Sequence, residues 1–186
     1  FDLADKYRTI VMVVADGAIG QMMEPAELPP MRPTRDPKDR PDWALTGAKG
    51  RANNVITSLF LGAEALEEVN LRLQAKLKTI QENEIRYIEY ETDDAEWLIV
   101  AFGTVGRICQ TVVREARAKG IKVGMIRPVT LWPFPYERIH ELAKQVKGVF
   151  VSEMNAGQMV EDVRLGVEGV APVGFHGRLG GVIPLP

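Results

Sequence analysis

Trp97–Ile126 reads WLIVAFGTVGRICQTVVREARAKGIKVGMI. Trp97–Phe102 is a continuous apolar run, the pattern of a strand buried on both faces rather than one. A glycine turn follows. Arg107–Lys119 then has the composition and length of a helix, with Gly120 placed where such a helix stops. Ile121–Ile126 is a second short apolar strand. Strand, helix and strand within about thirty residues form a βαβ unit, which joins parallel neighbours by a right-handed crossover.

The same alternation continues downstream. Pro135–Val146 reads as a helix with proline in its first turn, ending near Gly148, and Val149–Ser152 as a strand. Gln158–Val167 reads as another helix, followed by a short strand around Val173–Phe175. Ile85–Glu91 adds a strand upstream. Residues 85–186 therefore predict one α/β domain: three layers, with a mostly parallel sheet between helices on both faces. Before it, Leu66, Val69, Leu73, Leu77 and Ile80 recur at helical spacing, so Glu64–Asn83 is an amphipathic helix. Pro25–Pro41 is too rich in proline for a helix interior or central strand and reads as an extended connector or arm. Thr9–Asp16, TIVMVVAD, has the pattern of another doubly buried strand, belonging to a second α/β domain. The expected division is 1–24, 25–84 and 85–186.

Residues that are 46% apolar and 26% charged describe a globular chain, and a net charge of −2 directs it to neither nucleic acid nor a membrane surface. No apolar run approaches the roughly 18 residues of a membrane helix. One cysteine, Cys109, excludes internal disulfides and a cysteine-rich zinc or iron–sulfur site built by this chain alone. The expected setting is a reducing cytoplasm. The chain begins at Phe1 rather than methionine, consistent with a piece of something longer.

Two phrases are nearly the same: Gly20-Gln21-Met22-Met23-Glu24 and Gly157-Gln158-Met159-Val160-Glu161, each after a β-branched run and an acid. Both fall at expected strand ends, where open α/β sheets place ligand crevices. Unlike flanks argue against duplication. Gly103, Thr104, Gly106 and Arg107 follow a strand and open a helix. They are candidate phosphate contacts, although tight strand–helix packing accounts for the same spacing. Asp16-Gly17 lacks the downstream asparagine spacing of a diphosphate–Mg²⁺ turn and reads as a strand terminator. Arg127–Glu137, RPVTLWPFPYE, is a proline-fixed loop expected to expose Trp132 and Phe134 as a subunit or domain contact. Glu153, Asn155 and Gln158 gather polar groups at a strand end, as a crevice or an inter-subunit network. Cys109 reads as a small buried hydrophobe. His140 has no triad spacing. His176, between glycine-rich neighbours, reads as an anion contact or a turn histidine.

In order, DGAIGQMMEP (Asp16–Pro25), DWALTGAKGR (Asp42–Arg51), IVAFGTVGR (Ile99–Arg107), GIKVGMIRPVTLWPFP (Gly120–Pro135), EMNAGQMVEDVRLGV (Glu153–Val167) and FHGRLGGVIP (Phe175–Pro184) resemble the carboxyl-terminal half of an α subunit. The family is the thiamine-diphosphate-dependent 2-oxoacid:ferredoxin oxidoreductases, nearest its branched-chain, 2-oxoisovalerate type. The resemblance implies oxidative decarboxylation of a 2-oxoacid with coenzyme A to acyl-CoA and CO2, electrons passing to ferredoxin. It implies that 1–24 end the pyrimidine-side domain and that 85–186 are like the transketolase carboxyl-terminal domain. Thiamine diphosphate and Mg²⁺ are expected on the absent amino-terminal half and a β subunit. Iron–sulfur clusters are expected on β or ferredoxin-like γ chains of a hetero-oligomer. This chain alone is expected to hold no catalytic or metal-binding residue and to be inactive. Asp16, Gln21, Glu24, Trp132, Phe134, Glu153, Asn155 and Gln158 are its interface or crevice candidates. The alternative is a non-catalytic α/β module binding a nucleotide or coenzyme A through Gly103–Arg107.

Overall fold

The computed structural model describes residues 1–34, 36–41 and 43–184, Pro37 by its backbone alone. Arg35 of the expected connector, Asp42, and the last two residues of the expected 85–186 domain lie outside the described residues. The chain divides into two compact units, Met23–Leu73 and Phe1–Met22 together with Gln74 onward. The helices are α1 (Asp2–Tyr7), α2 (Gly17–Gln21), α3 (Ala63–Asn83), α4 (Gly103–Ala118), α5 (Tyr136–Ala143) and α6 (Met159–Val167). No described helix is long and apolar enough to cross a membrane.

The second unit holds a five-stranded sheet: β1 (Tyr87–Tyr90), β2 (Trp97–Val100), β3 (Val123–Pro128), β4 (Val149–Glu153) and β5 (Val173–Gly177). Their order is β1-β3-β2-β4-β5, with β3, β2, β4 and β5 parallel and β1 antiparallel to β3. The mostly parallel α/β architecture is the one expected. Alternation along the strands separates two cores. Leu98, Val100, Val149 and Val151 meet Ile139 and Leu142 of α5 and Val160 and Val163 of α6. Ile99, Val123 and Met125 meet Val105, Cys109 and Val113 of α4 on the other face.

The βαβ unit departs from expectation at its turn and at its second strand, which runs from Val123 to Pro128 rather than from Ile121 to Ile126. α4 begins at Gly103 rather than Arg107, because Gly103 adopts φ +59° and lets the helix start directly after the strand. Gly106 belongs to the helix: a Cβ there would stand 3.1 Å from the Arg127 side chain and 3.2 Å from the Ala101 carbonyl oxygen. Gly124 in β3 is tighter, since a Cβ would stand 2.7 Å from the Glu91 carbonyl oxygen and 2.8 Å from the Ala95 methyl.

Two expectations are corrected, while the amphipathic helix expected over Glu64–Asn83 is present as α3. Thr9–Asp16 forms no strand; Ile10, Met12, Val13 and Val14 are exposed, because no described strand lies alongside to pair its backbone. Phe134 is buried, not exposed. The loop turns inward after Trp132, so that the Phe134 ring meets Tyr136 edge-on at 5.1 Å between centroids. The apolar stripe of α3 is covered only toward its carboxyl end: Ile80 is buried, whereas Leu66 and Leu73 are exposed.

What fastens the first residues is electrostatic. The half-exposed Lys6 donates to the Glu84 carboxylate at 2.8 Å and the Tyr7 hydroxyl donates at 2.7 Å, while Arg86 donates from the other side at 3.0 Å. These donors, Lys6 foremost, hold the Glu84 carboxyl down to about 2 from an ordinary 4.5. With the folded value depressed, this contribution to stability is complete above pH 4.5 and is lost as pH falls through about 2. Tyr7 ring resonances followed by NMR should therefore titrate in that window, and Glu84→Gln should abolish the transition. Gly124→Ala should lower the unfolding free energy by about 1–3 kcal/mol in urea titrations, because its methyl meets backbone rather than a yielding side chain.

Candidate functional site

Polar chemistry gathers where the parallel strands end. Glu153 closes β4 and is 1% exposed, which makes it the most deeply buried charged residue among those described. Its two oxygens accept from the amides of Met159 and Val160 at 2.9 Å each, and from the Asn155 side chain at 3.0 Å. Asn155 in turn accepts from the Gly157 amide at 2.7 Å. The carboxylate thus satisfies the open amides of the first turn of α6 and lies at the positive end of its dipole. No cation is needed to hold it there. Gly157, at φ +107°, turns the loop inward, where a Cβ would press on Val160 and the Phe175 ring.

Asp16 does the corresponding task twice. It caps α2 by accepting from the Ile19 amide at 2.9 Å, and it accepts from the Thr104 amide at the start of α4 at 3.3 Å. The Ile19 amide first, and Thr104 after it, hold the Asp16 carboxyl below the usual carboxylate range. The Gly103–Arg107 turn therefore already faces an internal anion, and an external phosphate would have to displace it. Gly106 is explained by its packing on Arg127.

The repeated phrase is not a repeated structure. Gly20 and Gln21 end α2, whereas Gly157 and Gln158 precede α6, with Gln158 as its N-cap and no side-chain capping bond. What the two share is the preceding acid, Asp16 or Glu153, which caps the helix that follows. Gln21 is exposed, and Glu24 belongs to the Met23–Leu73 unit. Trp132 is half exposed beside Val129 and Leu131, an apolar surface at the end of β3.

Cys109 is buried against the sheet, and burial pushes its thiol up to about 11. His140 lies on α5, across the sheet from it, so the two form no nucleophile–base pair. His176 stands directly beside Ser152 in the β4–β5 register. Ser152 and Arg178 were not singled out from the sequence. The period-two set Ser152, His176 and Arg178 was the signal available.

Among the described residues no group of three or more His, Cys, Asp or Glu side chains is gathered as a metal site. Asp16 is engaged with amides, and the chain's single cysteine cannot furnish a cluster's thiolates. The donor set present here fits neither a diphosphate-bound Mg²⁺ nor an iron–sulfur cluster.

Residues 95–186 match the family described as pyruvate:ferredoxin oxidoreductase core domain II. Ketoisovalerate oxidoreductase subunit VorB of Methanothermobacter marburgensis is 45% identical over 183 residues, 97% of this chain and 51% of that protein. The 2-oxoglutarate synthase subunit KorA of the same organism is 30% identical over 210 residues, covering 100% of this chain and 56% of its own length. The chain thus spans about half the length of these curated relatives. A solved 2-oxoglutarate:ferredoxin oxidoreductase from Magnetococcus marinus, with 2-oxoglutarate, coenzyme A and succinyl-CoA bound, superposes with TM-score 0.59 at 21% identity. It covers 69% of this chain and 23% of that one, a likeness of fold alone.

Glu153 and Gln158 separate in their consequences. Glu153→Ala should cost about 2–4 kcal/mol of stability, by stripping the first turn of α6 of its acceptor, while Gln158→Ala should stay within about 0.5 kcal/mol. Urea unfolding of the two variants side by side checks this.

Proposed function

Because the chain belongs to the 2-oxoacid:ferredoxin oxidoreductase family, whose core domain II spans residues 95–186, we propose that it forms the carboxyl-terminal part of an α-type subunit of the branched-chain enzyme. The observation that carries this reading is the identity to a ketoisovalerate oxidoreductase subunit along nearly the whole chain, connector included. In this reading residues 1–24 close a pyrimidine-side domain, 25–84 connect, and 85–186 form the second domain.

The reaction joins a 2-oxoacid and coenzyme A to give acyl-CoA and CO2, with two electrons passing to ferredoxin. Thiamine diphosphate supplies the carbanion chemistry and belongs, with Mg²⁺, to the rest of the subunit and a β partner. Electron-carrying clusters belong to other chains of a cytoplasmic hetero-oligomer. This chain's own task is structural: its buried carboxylates close strand ends, and its surface meets partners. Trp132, Gln21 and Gln158 are exposed or at turns and are the residues proposed to lie at those boundaries, with Asp16, Glu153 and Asn155 holding the backbone behind them.

The test is the complete subunit co-expressed with its neighbouring subunits without oxygen, assayed for coenzyme-A-dependent viologen reduction. The expected result is thiamine-dependent activity, fastest with 2-oxoisovalerate. Faster turnover of 2-oxoglutarate or pyruvate would overturn the branched-chain assignment. An assembled, cofactor-loaded complex inert toward all three would overturn the enzyme reading. Calorimetry of the isolated chain should show no micromolar binding of coenzyme A or ATP; such binding would favour a nucleotide module instead.

A further inference from the structure

The two faces of the sheet are covered unequally. On one face α5 and α6 lie over the β2–β4–β5 half. On the other face, α4 packs against β2 and β3 and reaches β1, where Gln110 donates to the Tyr90 hydroxyl at 2.7 Å; it does not extend over β4 and β5. Ile99, Phe150 and Gly174 are register partners across β2, β4 and β5 and share that second face. Phe150 is nevertheless 44% exposed, although β4 is an interior strand. Its ring leans over Gly174, where a Cβ would stand 3.3 Å away. Instead of a helix, the segment Val182–Pro184 roofs this half and leaves a cavity of about 600 Å³ between itself, α4 and β4.

That cavity has a head and a body. Val105, Ile108 and Val112 of α4 form an apolar wall facing Phe150. At the other end Ser152, His176 and Arg178 line it together. Ser152 and His176 are directly paired in register, and Arg178 follows on the same side of the chain. Among the described residues none of these three side chains is engaged in a hydrogen bond or ion pair. A hydroxyl, an imidazole and a guanidinium at one end of an apolar slot make a donor set for a planar anion with a hydrocarbon body. The volume lies within the range of small-ligand sites, about 300–1,000 Å³.

We propose that this cleft between α4 and the β4–β5 half-sheet binds an amphipathic monocarboxylate, its carboxylate at Ser152, His176 and Arg178 and its aliphatic or aromatic body against Phe150 and α4. The site stands apart from the Glu153 and Asp16 clusters and does not depend on the oxidoreductase assignment.

Octanoate and its uncharged counterpart 1-octanol are the probes, titrated into the full chain with isoleucine methyl groups followed by NMR. Saturable shifts confined to Ile99, Ile108 and Ile183 are expected with millimolar octanoate. Arg178→Ala alters an exposed side chain and should leave the spectrum folded. It should weaken octanoate about tenfold, the scale of one charge-assisted contact, and leave octanol unchanged. Absence of saturation, equal binding of the alcohol, or indifference to Arg178→Ala would each overturn the proposal. So would shifts of the same methyls on raising protein concentration without ligand, because a second copy would then cover the cleft.

Discussion

Everything in the larger unit depends on β2 being buried from both sides. Leu98, Ile99 and Val100 are 1%, 7% and 0% exposed, and three such aliphatic side chains contribute roughly 1.5–3 kcal/mol each when removed from water. A strand with no solvent face requires a layer above and a layer below, and it requires a paired strand on each edge to satisfy its amides. β3 and β4 supply the edges, α4 one layer, and α5 with α6 the other. The crossover from β2 through α4 to β3 follows from the same demand, because the helix must return across the sheet to reach the next parallel strand.

Such an arrangement leaves polar backbone at every strand end, and the chain resolves it with its own carboxylates. Glu153 and Asp16 each accept from amides at the first turn of a helix, so the negative charge and the helix dipole offset one another without lysine or arginine. An acid buried this way is a structural element, not a spare catalytic group. That explains why two Gln-Met-x-Glu phrases can look alike and behave differently. The shared part is an acid ahead of a short helix, and the glutamine lands wherever the intervening loop happens to end.

The β-strand and helix pattern from Tyr87 onward was legible because each element is regular and local: doubly apolar strands, helices ended by Gly120 or begun near proline. Elements whose state depends on something else were not. Thr9–Asp16 has the side chains of a buried strand, but a strand exists only beside another, and its apolar side chains stand exposed here. Phe134 turns inward for a tertiary reason: composition marks the loop as aromatic without saying which ring faces the core. Leu66 and Leu73 keep helical spacing and still lack cover. In each case the local pattern was correct and the tertiary partner was not encoded in it. The site shows the same divide. Glu153 and Asn155 were visible as a polar group at a strand end, but their closure upon α6 required knowing how the loop folds back. Ser152 and Arg178 became noticeable only when β5 was laid beside β4.

Unequal covering of the sheet gives this domain two faces of different character. A face closed by α5 and α6 is finished: one continuous buried cluster, from Leu98 and Val100 through Ile139 to Val163, covers it. The opposite face is covered by α4 over β1, β3 and β2 but not over β4 and β5, and Phe150 at an interior strand keeps nearly half its surface in contact with solvent. Exposed aromatic surface in the middle of a sheet carries a standing free-energy cost, which falls when a ligand or polypeptide covers it. Binding there would stabilise the fold without touching the strand-end carboxylates that hold it together. The α4 side is thus where this domain can respond to its surroundings, and the α5–α6 side is where it cannot.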